Sequence, residues 1–190
     1  LGDVYKRQPL PDVPQEAVPP ARADALQRLK EKGVVVLPVA ANSNYLQVNF
    51  VTADSMTSDM ADLLLPIKEQ LIWLRMGGTR TDDAILSVVA QCRRITRLYL
   101  EHTRITDKGL AALKELQQLT YLNLVGTAVT GEGVMQLAGL PHLRSLFLYQ
   151  TLVDKKNWEN LQKVFPATQI DSGGYVVSTL ASDTVTLQYT

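Results

Sequence analysis

The stretch that decides the fold is Ile95-Thr96-Arg97-Leu98-Tyr99-Leu100-Glu101-His102-Thr103-Arg104-Ile105. It reads as L-x-x-L-x-L-x-x-T-x-L. Leu119 to Val129 and Leu143 to Val153 repeat it, and Leu71 to Thr81 is a weaker copy. Gln47-x-x-Phe50-x-Thr52-x-x-Ser55-x-Thr57 is a degenerate one. Thr79, Thr103, Thr127 and Thr151 lie 24 residues apart. Two apolar columns keep the same period: Leu74, Leu98, Leu122, Leu146 and Met76, Leu100, Leu124, Leu148. Several columns agreeing over consecutive copies make internal repetition the dominant signal.

Each unit divides into two halves. In Leu98-Tyr99-Leu100 the period of two marks a short strand, with Leu98 and Leu100 inward and Tyr99 outward. From Asp107 to Leu116, apolar residues at 110, 113 and 116 lie on one helical stripe, with Thr106 or Asp107 as N-cap. Val134, Leu137 and Leu140 form the same stripe one unit later, and Trp158, Leu161 and Val164 form it in the last unit. A single unit cannot bury its stripe alone, so neighbours must stack.

These motifs resemble the leucine-rich repeat family of the ribonuclease-inhibitor-like kind. The resemblance implies an α/β fold, a right-handed solenoid shaped as a short horseshoe. Parallel strands would line the concave face, and helices the convex face. The threonine column stands where many such repeats carry Asn or Cys. A polar side chain there bonds backbone groups of the tight bend, satisfying donors that would otherwise be unpaired.

The units expected around the repeats follow from composition. Leu1 to Gln8 resembles a translated sequencing adapter and is set aside. Residues 9–20 hold Pro9, Pro11, Pro14, Pro19 and Pro20, five of the nine prolines, and read as an extended linker rather than a packed element. Residues 21–50 read as an N-terminal cap of one helix and one strand, the strand over Asn44 to Phe50. Residues 47–167 are the repeats, and 168–190 a C-terminal cap and tail. Thr168 to Asp171 is expected to be a last strand and Ser172 to Gly174 a turn. The polar, β-prone tail from Tyr175 to Thr190 fits a capping strand and a frayed end equally.

Nineteen basic residues balance nineteen acidic ones. With no Lys/Arg cluster, this argues against nucleic acid as a partner. No apolar run approaches the roughly 18–20 residues that span a bilayer, so no membrane contact is expected of this segment. The one cysteine, Cys92, excludes an internal disulfide and a cysteine-rich metal site. Without a CxxCH motif, the segment itself attaches no haem. Cys92 aligns with Leu116 and Leu140 and is expected in the core.

No catalytic or metal-binding constellation emerges. His102 and His142 fall at different register positions and read as solvated. Asp82 and Asp83 align with helix starts and read as capping residues. Gly77-Gly78 lacks the spacing and the Lys-Ser/Thr of a phosphate loop.

The outward strand positions carry more information. They form three columns: Trp73, Arg97, Tyr121, Ser145; then Arg75, Tyr99, Asn123, Phe147; then Gly77, Glu101, Val125, Tyr149. Aromatic and arginine side chains dominate them, the types that anchor binding hot spots. Cross-strand packing on an open sheet accounts for such columns as well. The expected site is therefore Trp73, Arg75, Arg97, Tyr99, Glu101, Tyr121, Asn123, Phe147 and Tyr149. Its expected ligand is a protein or polymer, and no enzyme activity is expected.

A narrower resemblance rests on Gly33 to Phe50, on Thr103 to Leu110 and on Asp171 to Tyr175. These look like the repeat tails of bacterial envelope proteins with an upstream planctomycete-type cytochrome c domain. The resemblance implies a periplasmic or envelope setting and a membrane-anchored parent, with any haem held upstream of this segment. It also implies an alternative role, a structural accessory domain of that cytochrome.

Overall fold

The computed structural model describes residues 12–50 and 57–173. Thr52 and Ser55 of the degenerate repeat, residues 1–8, Pro9, Pro11 and the tail from Tyr175 lie outside the described residues.

The chain opens with α1 (Ala23–Glu31), β1 (Val35–Pro38) and β2 (Leu46–Asn49). Strand and helix then alternate. The strands are β3 (Leu71–Arg75), β4 (Arg97–Tyr99), β5 (Tyr121–Asn123), β6 (Ser145–Phe147) and β7 (Gln169–Asp171). Among them lie α2 (Ser58–Asp62), α3 (Asp83–Val89), α4 (Asp107–Leu110), α5 (Gly131–Met135) and α6 (Lys155–Val164). The strands form one sheet in sequence order. β1 is antiparallel to β2 and all later pairs are parallel. This is the expected α/β solenoid of stacked repeats, with its strand-lined concave face.

The register is that of the repeat. Leu74, Leu98, Leu122 and Leu146 are paired across four strands and fully buried. Met76, Leu100, Leu124 and Leu148 stack beneath them. The stripe Leu110, Leu113, Leu116 closes the core from the other side, and Cys92 takes the place of Leu116 one unit earlier. Desolvation there raises the Cys92 thiol from its ordinary 9.0 to about 12.

Four expectations are corrected. First, the degenerate repeat is displaced by two residues. Val48, not Phe50, pairs with Leu74. Phe50 fills the next inward position, its N–H donating to Arg75 O as Met76 N–H donates to Tyr99 O. A slip of two preserves which side chains face the core, so the pattern alone did not expose it. Second, the convex segments are only partly α-helical. After α4 the chain tightens to a 3₁₀ segment, Ala111–Glu115. Apolar residues three apart eclipse in that geometry, so the stripe stays aligned. Third, α6 is a ten-residue α-helix. Its 3.6-residue period turns Val164 outward to 38% exposure and buries Phe165 instead.

The fourth concerns residues 12–20. They are packed against the repeats rather than free. Val18 is buried with Tyr45 and Ile72. Asn44 Nδ2 donates to Val18 O at 2.8 Å, Tyr45 Oη to Glu16 O at 2.8 Å, and Gln70 Nε2 to Pro19 O at 3.0 Å. Proline kept this strap extended, and side chains of the first units satisfied its carbonyls.

Candidate functional site: the strand-lined face

Strands of three to five residues fix the outward side chains on this face in rows. Neighbouring strands bring Trp73, Arg97, Tyr121 and Ser145 into one row. Arg75, Tyr99, Asn123 and Phe147 form the next. The aromatic rings step diagonally between rows. Tyr99 and Tyr121 have centroids 4.8 Å apart, and Tyr121 and Phe147 4.9 Å, both tilted. Such separations are those of attractive ring pairs.

The two arginines lie on these rings. The Arg75 guanidinium is 4.1 Å from the Tyr99 centroid. Arg97 is 4.9 Å from Trp73 and 5.9 Å from Tyr121. The result is one continuous cation-aromatic surface across β3 to β6. Tyr99 lies beneath it at 9% exposure, so its ring serves as a platform more than as a contact. Burial raises the Tyr121 phenol above its usual range, with Tyr99 and Glu101 adding to the effect.

The third row is less uniform. The Glu101 side chain lies over Gly77, where a Cβ would meet its carboxylate. Glu101 Oε2 and Trp73 Nε1 are buried without a hydrogen-bond partner among the described residues. Asn123 turns back on its own strand end, Oδ1 accepting from Val125 N–H at 3.1 Å. Tyr149 is 47% exposed, its ring over Gly173. The structure thus gathers Trp73, Arg75, Arg97, Tyr99, Tyr121 and Phe147 into one cluster. It sets Asn123 to local capping and leaves Tyr149 at the margin.

Three site residues escaped the sequence reading. Asp12 Oδ2 accepts from Arg97 Nε at 2.7 Å and from Arg97 Nη2, and its Oδ1 accepts from Thr120 Oγ1 at 3.1 Å. Thr96 Oγ1 donates to Asp12 O at 2.9 Å. Burial alone would weaken the Arg97 charge, but the Asp12 carboxylate and the Tyr99 phenol together outweigh it, and the guanidinium is held more firmly protonated. Thr96 and Thr120 share a register position and were open to discovery. Asp12 was not, because it precedes the repeats and carries no periodic signal.

The remaining candidates behave as capping or surface groups. Asp82 Oδ1 accepts from Ala84 N–H at 3.1 Å. His102 and His142 are exposed. The threonine column bonds the bend, but chiefly as a donor. Thr79, Thr103 and Thr127 each give Oγ1–H to the carbonyl three residues back at 2.6 Å, and Thr151 does so at 2.7 Å. The expected satisfaction of donors is seen at two positions, where Thr79 Oγ1 accepts from Thr81 N–H at 3.3 Å and Thr151 Oγ1 from Val153 N–H at 3.5 Å. Among the described residues no group of three or more metal-capable side chains gathers, and no helix is long and apolar enough to cross a membrane.

Known proteins offer partial likenesses. No protein of curated function matches the chain in sequence. Among solved structures, an internalin (inlF) of Listeria monocytogenes is 24% identical with a TM-score of 0.48, covering 64% of this chain and 32% of its own. Internalin C2 of the same organism is 21% identical, TM-score 0.45, covering 56% and 43%. The ectodomain of the receptor kinase SOBIR1 of Arabidopsis thaliana is 15% identical, TM-score 0.45, covering 78% and 89%. The chain therefore spans less than half the length of either internalin. The sequence model of the leucine-rich repeat matches two consecutive units, residues 91–114 and 116–138. The strand register continues the same period on both sides of those units, so the stack from β3 to β6 is built as leucine-rich repeats are.

Proposed function

We propose that this chain is a non-enzymatic recognition module that binds a protein or polymer partner on its strand-lined face. One observation carries the reading. Tyr99, Tyr121 and Phe147 form a continuous ladder, with Arg75 and Arg97 laid on its rings. Rigid aromatic area and arginine anchors are what interface hot spots are made of, because few rotors freeze on binding. The test is partner capture by the folded triple variant Tyr99→Ala/Tyr121→Ala/Phe147→Ala, with circular dichroism confirming the fold. Loss of capture is expected, and capture equal to wild type overturns the reading. We further infer an envelope setting, supported by the resemblance of residues 33–50, 103–110 and 171–175 to repeat tails of envelope proteins. Sequencing the gene upstream tests it, with CxxCH and apolar spans as the expected result.

A further inference from the structure

The strap over residues 12–20 holds its two ends differently. At the β2–β3 end it is anchored by the buried Val18 and by donors from Asn44, Tyr45 and Gln70. At the β4–β5 end Asp12 reaches onto the aromatic-arginine surface. Donors from Arg97, Thr96 and Thr120 converge on it.

Those donors do not depend on Asp12. Thr96 Oγ1 also lies 3.3 Å from Ile72 O, and Thr120 Oγ1 lies 2.9 Å from Thr96 O. Each hydroxyl thus keeps a backbone acceptor if Asp12 leaves. Arg97 keeps its stacking on Trp73 and Tyr121. The site is built into the repeats, and departure of its occupant leaves no neutral donor orphaned.

A second cation stands beside it. Arg75 is exposed, stacked on Tyr99, and holds no carboxylate among the described residues. Arg97 pairs with Trp73, two residues before Arg75, so the two arginines are diagonal neighbours on adjacent strands. A strand spacing of about 4.8 Å and a two-residue rise of about 6.6 Å put the Cα atoms of such neighbours about 8 Å apart. Alternate side chains of an extended peptide are about 7 Å apart.

We propose that this face binds an extended acidic peptide with carboxylates at alternate positions. One carboxylate takes the place of Asp12 on Arg97 and Thr120, and the next meets Arg75. Asp12 is then a built-in competitor that must be displaced. The inference rests on the recognition reading and names its ligand class. Charge complementarity carries it, since the chain's own carboxylate already occupies half of the site.

The experiment uses the full chain and two labelled synthetic nonapeptides, one with Asp at alternate positions and one with Asn in their place. Fluorescence anisotropy compares wild type with Asp12→Asn, Arg75→Gln and Arg97→Gln. A competitor seated nine-tenths of the time lowers apparent affinity about tenfold, so Asp12→Asn is expected to bind the Asp peptide about tenfold tighter. Arg75→Gln and Arg97→Gln are each expected to weaken it about tenfold or more. Asp12→Ser serves the same comparison should Asn disturb the strap. Equal affinity in wild type and both Asp12 variants overturns the proposal. So does an Asn peptide that binds as tightly as the Asp peptide. In that second case, loss of binding in the Tyr99/Tyr121/Phe147 triple variant leaves the recognition reading standing while the acidic ligand falls. Absence of binding by either peptide overturns the acidic ligand alone, because partner capture judges the recognition reading separately.

Discussion

One register position bends four consecutive units through left-handed backbone. Gly78, His102, Gly126 and Gln150 have φ of 72°, 54°, 67° and 56°. Two of the four are not glycine, and a residue with a Cβ loses roughly 1–2 kcal/mol there. Gln150 is exposed. Gln150→Gly is therefore expected to raise stability by about 0.5 kcal/mol, the relief being partly offset by the freer unfolded chain. Gly126→Ala at the same position is expected to lower it by about 1–2 kcal/mol, since the His102 ring also occupies that space. Urea midpoints decide both, and equal signs for the two variants would refute the shared geometry. Cys92 offers a second measurement at this scale. Its folded thiol holds its proton to about pH 12 against an ordinary 9.0. A pKa raised by folding gives stability that is whole below pH 9 and lost as pH rises through 12. At pH 8 iodoacetamide is expected to label Cys92 only as fast as the fold opens, so a urea concentration series of labelling rates should track the unfolding transition. Rapid labelling in native buffer would place the thiol outside the core.

At the scale of elements, successive units are joined by a recurring staple. Asp83 accepts from Thr106 N–H at 2.8 Å and from its Oγ1 at 2.6 Å, and lies against Gly109. Asp107 does the same to Thr130 at 2.8 and 2.7 Å, against Gly133. At the third joint the sizes are exchanged: Gly131 stands where Asp stood, and the Asn157 side chain fills the space over it. Gly133→Asn is expected to cost more than about 2 kcal/mol, since it meets the Asp107 carboxylate. In an Asp107→Gly background it is expected to cost at least about 1 kcal/mol less, reproducing the third joint. Additivity of the two in a double-mutant cycle would show that the joints do not transmit between units. Leu122→Asp places an unpaired charge among fully buried neighbours and is expected to cost more than about 4 kcal/mol. A variant melting within a few degrees of wild type would show the register to be wrong. Strand columns, caps and the core stripe up to α5 were legible in the sequence, because each recurs at a fixed spacing, whereas the α-helical α6 put Phe165 in the core where the spacing pointed to Val164. The staple was half legible. Asp82 and Asp83 both read as caps, whereas Asp83 spends its carboxylate on the next unit. The slip at Val48 was not legible, since a displacement of two leaves the buried face unchanged.

Among the described residues the molecule is a linear stack whose two edges are finished differently, and this sets where it opens. In such a stack each unit draws stability from its neighbours, so interior units are the last to open. At one edge β2 is flanked by antiparallel β1, and the strap ties β2 to β5 through Val18, Glu16 and Asp12. Arg94 adds ion pairs at 3.0 Å to Glu16 and Glu69, although exposed pairs of this kind contribute little. At the other edge, β7 pairs with β6 over three residues, and Gln169 is exposed. The strap is also the part of the site that the sequence hid. Proline content announced its extended path, but its contacts reach across 108 positions from Asp12 to Thr120 and follow no period. Amide exchange reads this asymmetry directly. Leu100 and Leu124 donate to Asn123 O and Phe147 O within the interior, and Leu148 donates to Asp171 O at the edge. Leu148 is expected to exchange well before Leu100 and Leu124, while Met76, on the strapped side, stays protected. Val18→Asp then separates strap from stack. It is expected to speed exchange at Phe50 and Met76 and to leave Leu148 unchanged, because the buried anchor it removes touches only the first strands. Uniform acceleration along the chain would mean that the strap stabilises the solenoid as a whole, and would remove the basis for treating its Asp12 end as separable.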